Sequence, residues 1–89
     1  MKRRVAITGL GVVSPVGIGL KTFWTNLVAG KSGITNITSF DTTDFPIKIA
    51  GEVKDFNASD FIADRKAVRH MDRDSQFALA AAIMAAEDS

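Results

Sequence analysis

Residues 65–70 read Arg-Lys-Ala-Val-Arg-His, a grouping whose side chains could do recognition chemistry. On a helix, Arg65 and Arg69 lie four residues apart with Lys66 and His70 beside them, so one turn gathers three cations and an imidazole on one exposed surface. Such a surface suits an acidic protein partner, because rim charges steer association. The plainer alternative is a solvated face partly neutralised by Asp64, Asp72 and Asp74. His70 has no His, Cys or carboxylate partner at metal-ligand spacing, so it joins the patch and no metal site is expected.

Two glycine-containing stretches approach nucleotide motifs without meeting them. Gly9 and Gly11 invite a dinucleotide fingerprint, but the third small residue would fall on Ser14, and the next acidic residue, Asp41, is too far along for a ribose ligand. Gly30-Lys31-Ser32 resembles the end of a phosphate loop, yet the position of the first glycine is Thr25. A helical pattern precedes Gly30 where that loop needs a strand, and a helix C-terminus presents carbonyl oxygens unfavourable to phosphate. Lys31 is therefore expected as a solvated charge, and no cofactor is expected. With no Cys in its 89 residues, the chain carries no disulfide and no cysteine nucleophile.

A formal charge of +1 with mixed signs argues against a nucleic-acid footprint. Met1-Lys2-Arg3-Arg4 followed by apolar residues resembles the start of a secretory signal. Thr8, Gly9, Gly11, Ser14, Pro15 and Gly17 interrupt that run, and it offers no small-residue cleavage site. No stretch reaches the ~18 apolar residues of a membrane span. A cytoplasmic location away from membranes is the expectation.

The elements that must position the patch start with Arg3–Gly17, an apolar run without clean alternation that predicts a strand covered on both faces, ended by Ser14-Pro15. Gly9 and Gly11 within it would let another backbone or helix approach closely. Leu20, Phe23, Trp24, Leu27 and Val28 share one helical face, and Gly30 is placed to close that helix in the left-handed conformation. Residues 32–56 read as an irregular excursion, with a half-exposed strand over Ile47–Val53 and Phe40, Phe45 and Phe56 pinning it to a core. Asn57 can cap a short helical turn through Ala63. From Asp74 on, a helix apolar around nearly its whole circumference predicts complete burial, with Asp72 and Asp74 at its favourable N-terminal end. A chain of this length buries only a little over ~60% of its unfolded surface and can hardly cover such elements. An incomplete α/β domain follows as the expectation.

In order and at the expected intervals, several stretches look like the opening of a β-ketoacyl-[acyl-carrier-protein] synthase. They are Arg4–Gly17, Phe23-Trp24 with Leu27, Ala29–Ile34, Phe40-Asp41, Ala50–Val53, Arg65-Lys66, Arg69, Met71–Arg73 and Gln76–Ala78. Ser14-Pro15 and the segment from Met71 to Ala82 resemble the dissociated type II enzymes of fatty-acid synthesis, and related polyketide ketosynthases share the pattern. The resemblance implies the N-terminal part of a thiolase-like layered αβαβα fold, incomplete in this chain, with residues 1–89 as an N-terminal fragment of the synthase N-terminal domain of a homodimer. It implies a decarboxylating Claisen condensation in which a cysteine takes an acyl group from carrier protein and two histidines assist. Those three residues belong beyond position 89 in the family and His70 matches neither histidine, so no catalytic residue is expected here and the chain alone should be inactive. The resemblance also maps Lys66 and Arg69 onto basic positions that face the acidic recognition helix of acyl carrier protein. Arg65, Lys66, Arg69 and His70 are thus the expected carrier-docking residues, although His70 departs from the lysine often found at its position. A self-standing α/β binding module using the same patch is the contrasting function class.

Overall fold

A computed structural model describes residues 2–89, in which the chain divides into two compact units: Val13–Phe56, and the residues before Val13 together with Asn57–Ser89.

In the unit Val13–Phe56, a tight turn comes first. Strands β1 (Val13–Ser14) and β2 (Gly17–Ile18) pair antiparallel, with Ser14 opposite Gly17 and Pro15-Val16 at the corner. Proline suits the first corner position because its φ is already set and no amide hydrogen is needed there. Ser14 Oγ accepts from the amides of Val16 at 3.2 Å and Gly17 at 3.1 Å. Ser14-Pro15 therefore opens a hairpin here, where the sequence suggested the end of pairing. Helix α1 (Leu20–Val28) follows, and Asn26 Nδ2 donates to the Val16 carbonyl at 2.7 Å, tying helix to turn.

Gly30 closes α1 as expected. Its φ of 75° lets its amide reach the Leu27 carbonyl and the Lys31 amide reach that of Asn26, which satisfies two helix-end carbonyls. The apolar face of α1 is less covered than its periodicity implies, with Trp24 61% and Val28 68% exposed.

The excursion holds a short antiparallel ribbon, β3 (Ile34–Asn36) with β4 (Ile49–Gly51), Thr35 standing opposite Ala50. The strand expected over Ile47–Val53 thus shrinks to β4, because its partner β3 is only three residues long. Phe40 and Phe45 stack edge to face at 5.6 Å and stay about half exposed, so they pin the loop on each other and not on a core. The Glu52 carboxylate accepts from the amides of Thr38 at 2.9 Å and Ser39 at 3.1 Å and from both their hydroxyls, which folds the start of that loop back onto the end of the ribbon.

In the other unit, Asn57 Oδ1 accepts from the Ser59 amide at 3.1 Å and opens a single 3-10 turn, Ala58–Asp60. Helices α2 (Arg65–Arg69) and α3 (Arg73–Asp88) both pack against that turn. Ala58, Ile62 and Ala80 form the buried core there. Asp72 caps α3 through the Ser75 amide at 2.8 Å, with Asp74 in its first turn, as the sequence suggests. Complete burial of α3 does not follow: Ala80 is its one fully buried residue among those described, and Leu79 remains 38% exposed.

Residues 2–12 carry no ladder pairing among the described residues, in contrast to the expected strand over Arg3–Gly17. A strand exists only with a neighbour, and neither β-ribbon pairs with this segment. Val5 and Ile7 are 90% and 82% exposed as a result. The segment instead lies along α3, where Gly9 faces the Ala85 carbonyl and Gly11 the Ala81 carbonyl, each so near that a side-chain Cβ would overlap the oxygen. The Leu10 amide donates to Asp88 Oδ2 at 3.0 Å beside them. Close backbone approach at the two glycines is what their spacing suggested. Among the described residues, no helix is long and apolar enough to cross a membrane.

Candidate functional site

Arg65, Lys66 and Arg69 lie on α2, and His70 is its C-cap residue, so the four expected docking residues belong to one short element. All four are exposed. Lys66 and Arg69 fall in the last turn, where the carbonyl end of a helix favours cations.

The helix itself is set from its start by Asp64, whose Oδ1 accepts from the amides of Lys66 at 3.0 Å and Ala67 at 3.2 Å. Two of the carboxylates expected to neutralise the patch are therefore engaged with helix amides, Asp64 on α2 and Asp72 on α3. The remaining carboxylate, Asp74, sits in the first turn of α3. Hydrogen bonds from the Ser75 side chain and amide hold the Asp72 carboxyl below its ordinary range, so the cap is ionised at neutral pH.

The end of α2 is held by a residue that the sequence did not single out for this role. Gln76, half-buried in the first turns of α3, donates from Nε2 to the carbonyls of Val68 and Met71, both at 3.3 Å. In sequence the residue appears within the Gln76–Ala78 stretch that carries the resemblance and as a polar position early in an apolar helix, and neither signals a grip on α2. Nearby, Arg73 stacks its guanidinium over the Phe77 ring at 4.9 Å.

Among the described residues, no three His, Cys, Asp or Glu side chains come together in a way that could hold a metal ion. The unit Val13–Phe56 has an open hollow of about 330 Å³ whose lining includes Ser14, Asn26, Lys54 and Asp55. Ser14 and Asn26 are occupied by the turn and its link to α1, and Lys54 donates to Thr35 Oγ1 at 2.9 Å. The arrangement on α2 can offer grouped positive charge to a protein surface.

Comparison with known proteins places this geometry in a family. The model of the beta-ketoacyl synthase N-terminal domain matches residues 2–89. The 3-oxoacyl-[acyl-carrier-protein] synthase 2 of Coxiella burnetii is 51% identical over 88 residues, 99% of this chain and 21% of the relative. The synthase 2 of Vibrio cholerae is 48% identical over the same shares. Among solved structures, the ishigamide ketosynthase/chain length factor superposes with a TM-score of 0.89 at 42% identity, covering 99% of this chain and 22% of that one. The chain thus spans about a fifth of the length of the relatives it matches. The expected thiolase-like α/β character agrees with these matches, and over residues 2–89 the chain belongs to the β-ketoacyl synthase family as a match to its N-terminal domain.

Proposed function

We propose that residues 1–89 form the opening part of a type II 3-oxoacyl-[acyl-carrier-protein] synthase, a homodimeric enzyme of fatty-acid elongation. The observation that carries this reading is the 51% identity to a synthase 2 across nearly the whole chain. The exposed apolar residues of α1 and of the segment before Val13 support it, since they are what an element awaiting further layers would show.

In this reading the complete enzyme moves an acyl group from carrier protein to a cysteine thiolate, with loss of the carrier thiol. Decarboxylation of malonyl-carrier then gives carbon dioxide and an enolate that attacks the acyl carbonyl and releases the cysteine. The cysteine and its two histidines are assigned to other parts of the enzyme, and His70 is not among them. What this chain contributes is docking: Arg65, Lys66, Arg69 and His70 on α2 meet the acidic surface of the carrier and bring its thioester to the entrance.

Incubating the full-length protein with acyl-carrier and malonyl-carrier should give 3-oxoacyl-carrier and carbon dioxide in equal amounts. Absence of condensation with acyl chains of every length tried would overturn the proposal. The match to a ketosynthase/chain length factor favours a second reading, a ketosynthase of another pathway. Product analysis separates the two, because repeated elongation without reduction of the 3-oxo groups would point to the second.

A further inference from the structure

We infer that Gln76 is the positioning residue of the α2 patch, holding the basic side chains in the arrangement that meets the carrier. This rests on the docking role proposed above. A helix of five residues cannot maintain itself, because nucleation fixes several residues before hydrogen bonding compensates. Its placement must come from outside. Asp64 supplies the start by accepting from the amides of Lys66 and Ala67, but a cap at one end leaves the other free to fray.

At that other end, the Gln76 amide reaches back eight residues to the Val68 carbonyl and five to the Met71 carbonyl. Val68 lies directly before Arg69, and Met71 directly follows His70, so the two bonds bracket the C-terminal half of the patch. The Val68 carbonyl also accepts from the Met71 amide, and the Ala67 carbonyl from the His70 amide, so the whole turn closes on the point that Gln76 grips. Gln76 in turn sits on a sixteen-residue helix with its own cap at Asp72. Both helices pack against the 3-10 turn, and the Gln76 amide adds a direct link from the long helix to the end of the short one. Glutamine has the needed chemistry: two N–H donors on a side chain that stays uncharged when half-buried.

The test uses the full-length synthase and reads the ratio of kcat/KM for a carrier-bound acyl thioester to that for a pantetheine thioester of the same chain. Gln76→Met keeps the length and removes the donor, and Gln76→Lys keeps a donor. Gln76→Met should lower the ratio about two- to fivefold, in the range that misplaced rim charges typically produce, with the change in KM and not in kcat. Gln76→Lys should restore most of it. An unchanged ratio in Gln76→Met, while Lys66→Glu with Arg69→Glu lowers it, would overturn the positioning role and leave docking intact. An unchanged ratio in the charge-reversed variant would overturn docking itself and the positioning role with it. Equal losses on both thioesters in Gln76→Met would make Gln76 a general stabiliser of the fold and also overturn the inference.

Discussion

A methyl group at Gly9 or Gly11 would overlap a carbonyl oxygen of α3, Ala85 in the first case and Ala81 in the second. Backbone oxygens inside a helix cannot swing aside as a side-chain end can, so the segment itself must lift away. Gly9→Ala and Gly11→Ala should each destabilise the full-length protein by ~1 to 3 kcal/mol or more, read as a shift in denaturant midpoint. A neutral substitution at both sites would contradict the close approach. This contact was legible from two glycines spaced by one residue in an apolar run. The role of Glu52 was not, because its partners Thr38 and Ser39 lie 14 and 13 residues away and nothing local marks them. Hydrogen bonds from the Ser39 side chain and the Thr38 amide hold the Glu52 carboxyl below its ordinary value of 4.5. A lowered folded-state value means that the stabilisation is fully present above pH 4.5 and is lost as pH falls through the lowered value. Hydrogen exchange at the Thr38 and Ser39 amides should therefore lose protection in that acid window beyond the intrinsic change in rate. Glu52→Gln should flatten the response, and an equally steep loss in that variant would show that Glu52 is not the titrating group.

At the scale of elements, helices were read well and strands poorly. Leu20, Phe23, Trp24, Leu27 and Val28 repeat at helical spacing and Gly30 follows, so α1 carries its own signal. Short ribbons carry almost none: β3 is Ile-Thr-Asn, too brief for alternation to register, and it exists because β4 pairs with it. The segment before Val13 shows the converse, an apolar run that reads as a strand in sequence and pairs with neither ribbon. For the site, the helical turn over residues 65–70 and its basic face were legible, while the grip of Gln76 on its end was not, because it depends on how α3 turns back on α2. Asp72 is legible as favourable near a helix start, whereas Asp64, which in sequence reads only as a neutralising charge, caps α2. Each should behave as an ordinary cap. Asp64→Ala and Asp72→Ala should cost about 1 kcal/mol each, and Asp64→Ala should raise exchange at the Lys66 and Ala67 amides first. Faster exchange throughout α3 in Asp64→Ala, with α2 unaffected, would contradict the capping assignment.

On the scale of the whole molecule, Ala58, Ile62 and Ala80 are the buried apolar side chains among the described residues, while Val5, Ile7, Trp24, Val28 and Ile47 are each more than 60% exposed. A core of two alanines and an isoleucine offsets little of the entropy of ordering the chain. The 89-residue chain on its own should accordingly melt over a broad range without a cooperative transition and bind a hydrophobic dye. A sharp thermal transition of a monomer with dispersed amide signals would show that these surfaces need no cover. The chain spans about a fifth of the length of the relatives it matches, and in the reading proposed above the rest of such an enzyme is the cover, so function is measured on the full-length protein. Docking through α2 is tested most directly by the rate at which acyl carrier protein associates with that enzyme as salt is raised. The unmodified enzyme should associate more slowly with each increase in salt, and Lys66→Glu with Arg69→Glu should start from a lower rate and show a flattened salt dependence. Identical rates and identical salt slopes for the two proteins would contradict the assignment of α2 as the carrier-docking surface.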